Sequence, residues 1–126
     1  MAYVPYNPNP AGLKVGDCVV RALTKALDTD WDGAYLALTA QGFEMKNMPS
    51  ADRVWGELLK RYGFRRHGLI DTCPDCYTVD QFSADFHNGL YILGTGKHAV
   101  AVESGKIYDS WNSGGETPLF YYRKET

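Results

Sequence analysis

Residues 16–27 read GDCVVRALTKAL and place one thiol at the start of a predicted apolar helix. The predicted buried face carries apolar residues at helical spacing: Val19, Val20, Leu23, Ala26 and Leu27. Asp17 is of a residue type that often caps helices, so we expect the helix to begin at or beside Cys18. The N–H groups and the dipole at a helix start favour a thiolate over a thiol, which lowers the pKa of a cysteine. The sequence therefore presents Cys18 as a candidate nucleophile, against the simpler alternative of a small buried hydrophobic residue.

A histidine on a predicted strand is the candidate base. In residues 97–103, KHAVAVE, both faces are apolar except for His98, which is typical of an inner strand. The dipeptide at 104–105 suits a two-residue hairpin turn, and the return strand is predicted over 107–111. Counting pairs across this turn puts Asp109 on the same face as His98, two positions along. There its carboxylate can bond one imidazole nitrogen and leave the other nitrogen for the thiol.

This assignment depends on the length of the hairpin turn. A three-residue turn would shift the register by one position and bring Asn112, in place of Asp109, to the imidazole. We adopt the two-residue turn, which also puts Trp111 opposite His98, where the indole would shield the pair from water.

The pattern of the whole chain is that of an α+β protein, with helices first and a strand meander afterwards. Two Asn-Pro pairs within residues 1–16 predict an extended arm before the first helix. We expect a single domain over residues 1–126. Three further helices are predicted: one over 31–41 that ends at Gly42, one between a Ser50 cap and Gly63, and one over 79–86 that begins with a Thr78–Gln81 capping box. Strands are predicted over 64–70, 90–93, 97–103, 107–111 and within 118–123.

Composition excludes several classes of function. The chain has 126 residues and a formal net charge of −2, so it carries no basic field to hold nucleic acid or an anionic membrane. Residues 1–10 have neither the positive start nor the apolar run of a signal peptide. Without such a signal, and with three cysteines that cannot all pair, we expect a cytoplasmic protein.

The other two cysteines form a CxxC sequence, residues 73–76, in a predicted loop. With His67 and His87 they could be written as a Cys₂His₂ zinc site, but the spacing matches no common zinc finger. A redox pair and an ordinary loop are the alternatives. We predict no metal and no cofactor.

The order Cys, His, Asp, with the nucleophile at a helix start and its partners on the following sheet, resembles the papain-like cysteine peptidase superfamily. Its compact members, such as the bacteriocin-leader peptidases, look closest, because they too have Asp directly before Cys and then His and Asp on adjacent strands. The chain is also similar to small prophage proteins with the patterns Asn-Pro-Asn-Pro, Gly-Asp-Cys and Tyr-Asp-Ser-Trp, found here at residues 7–10, 16–18 and 108–111. The resemblance implies a papain-like fold and a thiol hydrolase in which Cys18, His98 and Asp109 are catalytic.

The surroundings of the nucleophile depart from the superfamily. A Gln five or six residues before the cysteine usually donates to the oxyanion, but Leu13 and Gly12 occupy those positions. The backbone N–H of Cys18 could supply one donor, and Asn9, or Asn7, the other. The expected function is a cysteine peptidase, or a related amidohydrolase or acyl transferase, acting on a peptide or protein. The alternative is a non-catalytic phage or prophage binding protein on the same scaffold.

Overall fold

The computed structural model describes residues 2–125, and over them the chain is an α+β protein, as predicted. The helices are α1 (Cys18–Ala26), α2 (Trp31–Met45), α3 (Asp52–Arg61) and α4 (Val79–Asp85). The strands are β1 (Tyr3–Pro5), β2 (Phe64–Gly68), β3 (Leu90–Gly94), β4 (Ala99–Glu103), β5 (Lys106–Asp109) and β6 (Phe120–Lys124). In this range no helix is long and apolar enough to cross a membrane.

The strands form one sheet in the order β1-β5-β4-β3-β6-β2. Its pairs are antiparallel except β1 with β5, which are parallel. One apolar cluster joins α1, α2 and α3 to the sheet through residues such as Leu23, Trp55 and Ile92. A second cluster joins α4 to the sheet through Phe82 and Val100. Alternate residues of β4 enter the two clusters, so this strand is buried on both faces, as its sequence predicted.

The turn between β4 and β5 confirms the predicted register. Ser104 and Gly105 have φ angles of 51° and 75°, the positive values that a two-residue hairpin turn of type I′ requires. Val102 therefore pairs with Ile107, and Ala101 with Tyr108. The register brings the end of β5 beside the segment that leads into β4.

Other boundaries confirm or correct the sequence predictions. The Thr78 capping box on α4 is confirmed, with both of its hydrogen bonds in place. The prediction that Gly42 ends α2 is wrong, because the helix continues to Met45. Gly42 instead allows the backbone of Asn47 to come close, since a Cβ atom on residue 42 would lie 2.9 Å from the Asn47 carbonyl oxygen. The Ser50 cap is also wrong, since Ala51 holds the N-cap position of α3 without a side-chain hydrogen bond.

The extended arm contains a strand that the sequence analysis did not predict. Residues 3–5 pair in parallel with β5, and the backbone N–H of Tyr6 donates to the Asp109 carbonyl oxygen at 2.7 Å. The Tyr6 hydroxyl also lies 2.6 Å from the Thr24 hydroxyl on α1. The arm thus covers the outer edge of β5, directly beside Asp109.

Candidate active site

Cys18, His98 and Asp109 lie together at one end of the sheet. Cys18 is the first residue of α1, His98 immediately precedes β4, and Asp109 is the last residue of β5. The Nε2 atom of His98 is 2.7 Å from Oδ2 of Asp109. The other ring nitrogen, Nδ1, is left for the Cys18 side chain, which lies close enough to His98 for each group to shift the pKa of the other. The paired register thus places the imidazole between a thiol and a carboxylate.

The charges of this group favour an ionised thiol. Burial alone would raise the pKa of Cys18, but hydrogen bonds from His98 and the Ala99 backbone, with the positive charges of His98 and Arg21, hold that pKa below its usual value. Burial opposes the charged form of His98 as well, yet Asp109 and Cys18 raise its pKa to about 9. Both shifts favour a thiolate beside an imidazolium over a neutral thiol beside a neutral imidazole.

Asp109 is fully buried, and both of its carboxylate oxygens are saturated. Oδ2 accepts from His98 and, at 2.6 Å, from the Ser113 hydroxyl. Oδ1 accepts from Arg21 at 2.9 Å and from the Ser110 backbone N–H at 2.8 Å. Burial opposes ionisation of Asp109, but the hydrogen bonds from His98 and Ser113 and the positive charges of His98 and Arg21 hold its pKa below the usual range. The carboxylate is thus held ionised and fixed in orientation.

Arg21 joins this carboxylate to a second one, and the sequence analysis missed this role. Its two terminal nitrogens bond Asp109 at 2.9 Å and Asp17 at 2.6 Å, and its side chain is 5% exposed. The other Asp17 oxygen accepts from the indole N–H of Trp31 at 2.9 Å. The chain of contacts therefore runs from Trp31 on α2 through Asp17, Arg21 and Asp109 to His98.

This network corrects the predicted role of Asp17. It holds the N-cap position of α1, but its side chain makes no capping hydrogen bond because both oxygens are taken by Arg21 and Trp31. Asp17 therefore orders the charged network instead of covering the first-turn N–H groups. An arginine one turn after Asp17 was the available signal, since residues four apart on a helix are neighbours.

The predicted neighbours of the imidazole are confirmed in part. The Trp111 ring centre lies 4.9 Å from that of His98, and the side chain remains 46% exposed. Asn112, the alternative to Asp109, instead accepts from the Gly114 backbone N–H at 3.0 Å. Asp109 is therefore the residue that orients His98.

Among residues 2–125, the hydrogen bonds do not identify a side chain that would serve as the second oxyanion donor. The Asn9 side-chain oxygen accepts from the Ala11 backbone N–H at 2.8 Å, and the Asn7 amide donates to the Leu13 carbonyl oxygen at 3.2 Å. Both contacts lie within the loop before α1. The oxyanion role of Asn9 stays a prediction, beside the Cys18 backbone N–H.

The CxxC cysteines lie apart from this group. Cys73 and Cys76 form a disulfide in the loop between β2 and α4. Among residues 2–125 no group of three or more His, Cys, Asp or Glu side chains is arranged to hold a metal ion. Cys18 is a free thiol, and its side chain is half-buried.

No known protein family, curated protein or solved structure matches the chain.

Proposed function

We propose that the protein is a cysteine peptidase, or a related amidohydrolase or acyl transferase, with Cys18 as nucleophile, His98 as acid and base, and Asp109 as orienting carboxylate. The observation that carries the proposal is the His98 imidazole held between the Cys18 thiol and the buried Asp109 carboxylate. A structural histidine would need only one partner, whereas this imidazole bonds the Asp109 carboxylate through Nε2 and also interacts with the Cys18 thiol. The resemblance to papain-like peptidases in the order and placement of the three residues supports the same reading.

The proposed reaction is acyl transfer. The Cys18 thiolate attacks the amide carbonyl carbon, and a C–S bond forms while the carbonyl oxygen takes up negative charge. The C–N bond then breaks, and the leaving amine takes the proton from Nδ1 of His98. His98 next accepts a proton from water, or from an acceptor amine, which attacks the thioester and releases Cys18. Asp109 stays ionised and holds the ring through Nε2.

The acceptor and the acylated residue can be found in one experiment. A peptide library prepared from a bacterial lysate is incubated with the protein in ¹⁸O-labelled water, and new termini are read by mass spectrometry. A hydrolase incorporates ¹⁸O in the new carboxyl groups, whereas a transferase yields new amides when an amine such as glycine hydroxamate is added. Cys18→Ala and His98→Gln abolish the new termini, and the Cys73→Ser/Cys76→Ser double variant, which retains Cys18, produces them as the wild type does.

The second candidate is a binding protein that retains the scaffold without turnover, such as a phage factor that acts on a host protein. It is favoured by the Asn7 and Asn9 side chains, whose hydrogen bonds remain within their own loop. Absence of Cys18-dependent products from any peptide would select this candidate. We further propose that the protein acts in the cytoplasm, where the Cys73–Cys76 disulfide of the structure would be reduced by the thiol pool.

A further inference from the structure

A cleft opens beside Cys18 between the start of α1, the middle of α2 and the segment before α3. Its volume is about 160 Å³. Cys18 is itself part of the wall, so an occupant of the cleft lies next to the candidate nucleophile. The wall also includes Val20, Tyr35, Leu38, Thr39 and Pro49.

The lining is mostly apolar. Val20 and Leu38 are buried, and Pro49 is half-buried. Apart from the Cys18 thiolate, none of the lining residues in the described part of the chain carries a charge. Burial of an apolar group in such a cleft is favourable, because apolar surface is removed from water. A charged group would lose its hydration there without gaining a hydrogen-bond partner.

The volume limits the size of the occupant. An apolar protein cavity of about 150 Å³ holds one benzene molecule. The cleft at about 160 Å³ therefore has room for one leucine or phenylalanine side chain, and glycine or alanine would leave most of it empty.

We propose that this cleft is the specificity pocket of the enzyme and takes a leucine-sized or phenylalanine-sized side chain of a peptide substrate, next to the amide that Cys18 attacks. The inference rests on the proposed function, because it assigns the substrate class of the same site. Thr39 lies on the exposed side of α2 and lines the cleft.

The test uses covalent probes that need recognition but not turnover. The probes are N-acetyl dipeptidyl acyloxymethyl ketones with the sequences Leu-Gly, Gly-Leu, Gly-Gly and Gly-Asp. In each, the Cys18 thiolate forms a C–S bond to the ketone methylene and a carboxylate leaves, and labelling of Cys18 is followed by intact-protein mass spectrometry. One Leu-containing probe labels at least tenfold faster than Gly-Gly, because filling a hydrophobic pocket discriminates at this scale. The position of its leucine identifies which substrate residue enters the cleft.

Two variants of α2 test whether this cleft is responsible. Thr39→Trp fills the mouth and reduces the preference for leucine to below threefold. Ala40→Trp is the matched control: it puts the same ring on the adjacent exposed residue, which does not line the cleft, and retains the preference. Equal labelling by the four probes, or a leucine preference that survives Thr39→Trp, would overturn the proposal.

The experiments distinguish a failure of the pocket proposal from a failure of the proposed function. Leucine-selective labelling without cleavage of any peptide retains the pocket and rejects the peptidase. Rapid iodoacetamide labelling of Cys18 with no peptidyl preference retains the activated thiol and rejects the pocket.

Discussion

Replacing Arg21 by methionine should destabilise the protein strongly, because it leaves two buried carboxylates without their shared cation. Asp109 is 0% and Asp17 7% exposed, and Arg21 bonds them at 2.9 and 2.6 Å. After the substitution Asp109 retains the His98, Ser113 and Ser110 donors, but Asp17 retains only the Trp31 indole.

Removing one partner of a buried ion pair costs about 3–5 kcal/mol, and this is the loss of unfolding free energy that we expect. Equilibrium unfolding in urea measures it directly. With an m-value of about 2 kcal/mol per molar urea, the midpoint falls by roughly 1.5–2.5 M. The Asp17→Asn/Arg21→Met double variant should recover about 1–2 kcal/mol, because one of the two uncompensated charges is then absent.

Arg61→Met is the matched control, because it removes an arginine from an ion pair that is exposed on both sides. Its urea midpoint should equal that of the wild type, since exposed pairs often contribute nothing measurable. An Arg21→Met midpoint as high as that of Arg61→Met would refute the reasoning that a buried charged network holds Asp109.

Two further substitutions test other links of the network. Asp109→Asn removes the main partner that raises the pKa of His98 to about 9. The pKa of the imidazole, measured by NMR titration, should therefore fall by at least one unit toward the ordinary value of about 6.5. An unchanged pKa would contradict the assignment of Asp109 as the partner of His98. Because the raised pKa stabilises the fold fully below about pH 6.5 and the effect is lost as the pH rises through about 9, the stability gap between wild type and Asp109→Asn should narrow over that window. Trp31→Phe deletes the indole donor to Asp17 and should lower the unfolding free energy by about 1.5–3 kcal/mol. Trp111→Phe, at the exposed ring beside His98, is the control and should change the unfolding free energy little. Equal effects of the two substitutions would show that the Trp31 hydrogen bond is unimportant.

Local rules in the sequence were sufficient for the part of the site that depends on one turn. The dipeptide at 104–105 determines the hairpin register, and that register alone brings His98 and Asp109 to one place. The capping box of α4 is likewise contained within four residues. Such features are predictable because the groups that make them are close together in the chain.

The features that the sequence analysis missed depend on distant partners. Asp17 looks like a helix cap until Trp31 of α2 and the neighbouring Arg21 compete for its two oxygens. The pairing of β1 with β5 depends on where the arm returns to the sheet, which no local periodicity encodes. Gly42 reads as a helix stop unless the approach of Asn47 is known.

The central claim, that His98 activates Cys18, is tested most directly by the pH dependence of Cys18 alkylation by iodoacetamide. The rate is followed by peptide mass spectrometry in the wild type and in His98→Gln, with glutathione as the ordinary thiol. A free thiol with a pKa of about 8.5 is only about 1% ionised at pH 6.5. We predict that wild-type Cys18 reacts at least tenfold faster than glutathione at pH 6.5 and that His98→Gln removes this advantage. A Cys18 that reacts no faster than glutathione, or equally fast without His98, would contradict the account.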